Sequence, residues 1–111
     1  MSESKDLRYI KRTDGVVMLT FDQAGESVNT LRDDFAPQLH QVLDEINAME
    51  GVQALVLCSA KSDNFVAGAD IGMLDRVSSS QGARELSAIG QRAVDRIADF
   101  RVPVVAAIHG A

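Results

Sequence analysis

The sequence predicts an α/β fold, because short strand-like apolar runs alternate with segments of helical periodicity and are joined by small-residue turns. One run, Ala54-Leu55-Val56-Leu57-Cys58, is short and continuously apolar, as a buried strand should be. One stretch, 33–49, repeats apolar residues at Phe35, Leu39, Val42, Leu43, Ile46 and Met49, the stripe of an amphipathic helix. Between the central strand and the next helix lies Ala67-Gly68-Ala69, a turn too small to be filled by side chains.

Residues 7–13 and 16–22 read as two strands around Asp14-Gly15, a two-residue hairpin signal. Residues 23–27 form a polar loop. In the helix that follows, Pro37 belongs in the first turn, where its missing N–H is harmless, and Gly51 stops the helix. After the glycine turn, 71–76 suggests a short helix. Ser78-Ser79-Ser80 signals the start of a longer one, whose inner face carries Leu86, Ile89, Ala93, Ile97 and Phe100. Arg101-Val102-Pro103 ends that helix, and 104–108 reads as a buried strand. The predicted order is β-β-α-β-α-α-β, with no internal repeat or linker.

Composition excludes several classes. The 111 residues carry a formal charge of −5 with scattered basic side chains, which argues against a nucleic-acid surface. No apolar run approaches the ~20 residues of a membrane span. The polar N-terminus lacks a secretory leader, so the expected location is cytoplasmic. Cys58 is the single cysteine and is expected to be a buried, inert thiol. The two histidines, His40 and His109, have no metal-ligand spacing, and no metal is expected.

Chemistry concentrates in Phe65-Val66-Ala67-Gly68-Ala69-Asp70-Ile71. Small residues at a strand-to-helix junction let a ligand approach free amide N–H groups, the arrangement that holds a developing oxyanion. The plainer reading is a tight connection with Gly68 at positive φ and Asp70 capping the helix. Asp70 places a carboxylate where a phosphate would sit, which favours a polarised neutral carbonyl such as a thioester.

This stretch, with Ser59-Ala60-Lys61 and Asn64 before it, resembles the first signature of the crotonase (enoyl-CoA hydratase/isomerase) superfamily. Ser27-Val28-Asn29-Thr30-Leu31, the strand 54–58 and Pro103-Val104-Val105-Ala106-Ala107-Ile108-His109-Gly110-Ala111 agree with it in order and spacing. The resemblance runs from about Tyr9 to Ala111 and is strongest to the multifunctional fatty-acid oxidation branch. It implies that 1–111 is the N-terminal part of a crotonase-like ββα spiral, incomplete at the C-terminal end. The family's second oxyanion N–H and its catalytic glutamates would come later. The last strand should then show an uncovered edge, open to self-association, and the chain should be nearly inactive in isolation.

The same resemblance implies the roles of single residues. Ala69 would donate the first oxyanion N–H. Ala67, Gly68, Asp70 and Ile71 match contacts to coenzyme A. Asn29 and Leu31 match a motif lining the pantetheine and acyl channel, although Asn29 closing a turn and Thr30 capping a helix fit equally. Arg32 and Lys61 could meet coenzyme A phosphates or simply be solvated. His109 suits a local hydrogen bond better than a mechanistic role, His40 reads as surface, and Asp44, Glu45, Asp75, Glu85 and Asp95 read as solvated carboxylates.

The implied reaction is hydration of a trans-2-enoyl-CoA, with isomerisation or another reaction of the superfamily as the alternative. Non-catalytic binding of acyl-CoA is a further alternative, and a generic α/β interaction module whose likeness is only structural is another. The implied substrate carries coenzyme A, and the chain itself holds no cofactor; NAD would enter only through a dehydrogenase part. The β subunit of a fatty-acid oxidation complex would be the partner if the chain belongs to such a complex.

Overall fold

The computed structural model describes residues 6–111, so the reading of the polar N-terminus lies largely outside the described residues. The elements follow the predicted order: β1 (Leu7–Lys11), β2 (Val16–Phe21), α1 (Phe35–Asn47), β3 (Ala54–Ser59), α2 (Ile71–Asp75), α3 (Ser80–Ala98) and β4 (Val104–Ala106). The four strands form one sheet in the order β1-β2-β3-β4. β1 runs antiparallel to β2, whereas β2–β3 and β3–β4 are parallel, each reached through a helical crossover.

The core lies between one sheet face and α1. Val17, Leu19 and Phe21 alternate inward along β2, Leu55 joins them from β3, and Leu39, Val42, Leu43 and Ile46 meet them from the helix. The predicted stripe of α1 therefore holds, with Phe35 and Met49 packed at its two ends. Phe35 sits 5.2 Å from the ring of Phe21, tying the start of α1 to the end of β2. Pro37 falls in the first turn of α1, as expected.

The hairpin differs from the two-residue expectation. The Arg12 N–H donates to Val16 O (2.8 Å) and the Gly15 N–H to Arg12 O (3.0 Å), so three residues turn the chain. Gly15 takes φ 88°, and a Cβ there would lie 2.6 Å from Gly51 O. The single αL glycine after a tight turn is the three-residue hairpin solution.

Three further expectations are corrected. β4 has three residues, not five, and is not buried: Val104 is half-buried, Val105 is 55% exposed, and Ile108, past the end of the strand, is 73% exposed. Among the described residues β4 pairs only with β3 and so forms an edge of the sheet. Cys58 is half-buried, because it shares with Thr20 the sheet face opposite α1; its Sγ lies 3.3 Å from Thr20 Oγ1. Thr30 does not cap α1. Its hydroxyl donates to Gln23 Oε1 (3.1 Å), and the cap position, Asp34, makes no side-chain capping bond.

The face predicted for α3 is covered only in part. Ala93 is buried and Ile97 and Phe100 pack at the core margin, but Ile89 is exposed. His40 is half-buried rather than on the surface, because Arg96 of α3 reaches over α1 to the His40 carbonyl (3.0 Å) and to Asp44.

Candidate functional site

The site is built on the end of β3. Ser59 Oγ donates to Asn64 O (2.8 Å) and accepts from Lys61 N–H (3.0 Å), folding 59–64 back on itself. Lys61 is neither solvated nor open to a phosphate, which corrects both readings of it. Its side chain is 10% exposed, and its ammonium donates to Gln23 O and Glu26 O (both 2.6 Å) and pairs with Asp22 at 2.9 Å. That hydrogen bond, with a second from Arg8, holds the Asp22 carboxyl below its ordinary pKa. Arg32 pairs with Glu26 at 3.3 Å. His109 Nε2 lies 2.7 Å from Lys61 O, so its hydrogen bond joins it to the turn after β3 and not to its own neighbours in sequence.

Beneath the following loop lies Asn29, which is fully buried. Its Oδ1 accepts from Gln23 N–H (2.9 Å), and its Nδ2 donates toward Phe21 O (3.1 Å), Ser59 Oγ (2.9 Å) and Phe65 O (3.0 Å). Its backbone N–H donates to the buried Asn64 Oδ1 (3.2 Å). With all its polar atoms engaged, Asn29 acts as the turn-closing residue and does not reach a ligand surface. Sequence reasoning missed Gln23, Ser59 and Asn64 as members of this network, since nothing local marks a polar loop residue as buried.

Residues 67–70 lie along 29–31 as a short parallel ladder. Ala67 N–H donates to Asn29 O (2.7 Å), Leu31 N–H to Gly68 O (2.8 Å), and Asp70 N–H to Leu31 O (2.9 Å). Leu31 and Ala69 form the bridge itself. In a parallel bridge one residue makes both bonds, so the N–H of its opposite number points outward. The Ala69 N–H accordingly donates to no group among the described residues. Gly68 holds the turn at φ 98°, a conformation that L side chains resist. Asp70 Oδ2 accepts from Met73 N–H (3.0 Å), capping α2 as the plainer reading expected.

Leu31 and Ala69 open onto a cleft of about 520 Å³ between the start of α1, α2 and α3. Its walls are mostly apolar, with Phe35, Met73, Leu74 and Leu86 among them, and among the described residues Asp33 is its one carboxylate. Arg76 grips Asp33 through both carboxylate oxygens at 2.9 Å. Ala67, Gly68, Asp70 and Ile71 stand outside this cleft; Ile71 is 75% exposed. The arrangement combines one unpaired backbone donor with an apolar channel beside it, which suits a carbonyl oxygen carrying a hydrocarbon tail.

The fold is that of the crotonases. An enoyl-CoA hydratase/carnitine racemase from Magnetospirillum magneticum superimposes with a TM-score of 0.84 at 23% identity, over 98% of this chain and 40% of the other. DspI from Pseudomonas aeruginosa gives 0.82 at 26% identity, over 99% and 40%. The family model for enoyl-CoA hydratase/isomerase matches residues 11–111, and the chain belongs to that family. Among similar sequences, the fatty acid oxidation complex subunit alpha of Shewanella amazonensis is 48% identical over 101 residues, 91% of this chain and 14% of that protein. Its counterpart from Shewanella halifaxensis is 44% identical over 111 residues, 100% of this chain and 16% of that protein. The chain thus spans about a seventh of the length of these relatives. No helix among the described residues is long and apolar enough to cross a membrane.

Proposed function

We propose that this chain supplies the acyl-CoA-binding half of an enoyl-CoA hydratase site in fatty-acid β-oxidation. The observation that carries this reading is the unpaired Ala69 N–H at the mouth of the apolar cleft. In the proposed reaction Ala69 N–H donates to the thioester carbonyl oxygen of a trans-2-enoyl-CoA. One O–H bond of water breaks as its oxygen bonds to the β-carbon, and the C=C π electrons move through the α-carbon onto the carbonyl oxygen as an enolate. The enolate then collapses as the α-carbon takes up one proton, balancing the one that water released, to give the 3-hydroxyacyl-CoA. Leu31 lines the acyl path, and the loop residues Ala67, Gly68, Asp70 and Ile71 receive the coenzyme A portion.

The reading also needs a second amide donor and an acid–base pair. The single carboxylate of the cleft, Asp33, is held by Arg76 and is a poor candidate for either proton transfer. These residues alone should therefore bind acyl-CoA without turning it over. That same pairing favours, as a second reading, a purely binding role. The names of the relatives support a place in a fatty-acid oxidation complex, and the proposed partner there is its β subunit. NAD would act only through a separate dehydrogenase part.

The test compares the protein expressed from its complete gene with residues 1–111 alone. Hydration of crotonyl-CoA is followed by loss of the conjugated enoyl absorbance, and binding by calorimetry against free coenzyme A. Turnover by the complete protein and binding without turnover by 1–111 support the proposal. Binding by both without turnover by either favours the second reading. Turnover by 1–111 overturns the division of labour, and absence of binding by either overturns the reading entirely.

A further inference from the structure

Three glycines sit in α2 and α3, and two of them have a local reason. A Cβ on Gly72 would come 3.3 Å from Asp70 Oδ2, and one on Gly82 would come 3.1 Å from Ser79 Oγ, so both leave room for the capping oxygens. Gly90 has no such reason. It lies in the interior of the 19-residue helix α3, where glycine is destabilising relative to alanine. Its φ is not positive, so the backbone does not require glycine, and a Cβ there would meet no atom within 4 Å. No close helix crossing explains it either, because the buried contact of α3 with the core is made at Ala93.

What Gly90 does border is the cleft beside Ala69, on the same wall as Ala83, Ser87 and Val94. We infer that Gly90 is a specificity-determining residue that keeps the cleft open for the distal part of a medium- or long-chain acyl group. This inference rests on the reading of the cleft as an acyl site. A side chain at position 90 projects into empty space at no cost to packing, so its effect falls on the occupant of the cleft. On this inference a four-carbon acyl group held at Ala69 leaves that wall untouched, and a ten-carbon group reaches it.

The test uses Gly90→Ala and Gly90→Leu in the protein expressed from its complete gene, with crotonyl-CoA and trans-2-decenoyl-CoA as substrates. Both variants should melt at or above the wild-type temperature, since alanine and leucine are better helix formers than glycine. With Gly90→Leu, kcat/KM for crotonyl-CoA should stay within about threefold of wild type, while that for decenoyl-CoA falls by roughly tenfold or more. Gly90→Ala should fall between wild type and Gly90→Leu with the longer substrate. Equal losses on both substrates, or no loss on either, would overturn the role of Gly90 while leaving the acyl-site reading in place. Failure of the wild-type protein to hydrate either thioester would instead defeat the reading on which the inference rests.

Discussion

Leu31 and Ala69 face each other across a single parallel bridge, and Leu31 makes both of its hydrogen bonds. Its N–H reaches Gly68 O at 2.8 Å and its carbonyl receives Asp70 N–H at 2.9 Å. The cost of pairing the loop is thus carried by the residues flanking Ala69, and the Ala69 donor is left over. A donor fixed in direction before any ligand arrives needs no reorganisation when charge develops on an oxygen.

Replacement of Ala69 tests that donor directly. Ala69→Pro, in the protein expressed from its complete gene, removes the N–H and should lower kcat by about 10²–10³. Ala69→Gly keeps the amide and should retain much of the activity, with a modest loss from added loop freedom. Thermal melts and circular dichroism establish that the proline variant is folded. A folded proline variant with near wild-type kcat would show the loop to be a structural turn only.

Asn29 should matter to stability more than to ligand contact. Removing its carboxamide leaves Gln23 N–H, Phe21 O and Phe65 O without their buried partner. Asn29→Ala is expected to cost on the order of 3 kcal/mol, read from the urea unfolding midpoint. Asn29→Asp preserves the acceptor but loses the donors, so it should also destabilise. A variant as stable as wild type would mean that water replaces these bonds.

The difference between what was legible in the sequence and what was not follows the range of the interactions. The stripe of α1, the Asp70 and Ser79 caps and the Gly68 turn are set within a few residues, and each could be read from spacing. The network under the loop joins Asn29 to Asn64 and Lys61 to Gln23, pairs brought together only by the order of the strands. Cys58 was misplaced for a related reason. A continuously apolar strand carries no alternation to say which face meets α1, and that face is fixed by the register with β2. Leu31 and Ala69 line one cleft, whose apolar walls on α2 and α3 became visible only in three dimensions.

The pairing of Asp22 predicts a specific acid response. Lys61 first, and then Arg8, holds its folded-state pKa below the ordinary carboxylate value. The unfolded chain binds the proton more readily, so the contribution is fully present above the unfolded pKa of about 4. It is lost as pH falls through the depressed folded value. Asp22→Asn should lower stability at neutral pH and flatten the fall below pH about 4 in urea unfolding. Parallel pH profiles for variant and wild type would remove Asp22 from the acid response.

The edge of the sheet gives the last expectation. Among the described residues β4 is bonded on one side only, by β3, and its exposed Val105 leads on to the exposed Ile108. An apolar strand with unpaired backbone groups is a template for another strand. Residues 1–111, prepared alone, should therefore self-associate with rising concentration, detected as growth in scattering mass. Val105→Lys places a charge on that strand and should suppress the association without lowering the melting temperature, because Val105 is more than half exposed and contributes little to the core. Scattering from a monomer at every concentration, in wild type as in the variant, would show that the β4 edge is protected by something other than a neighbouring strand.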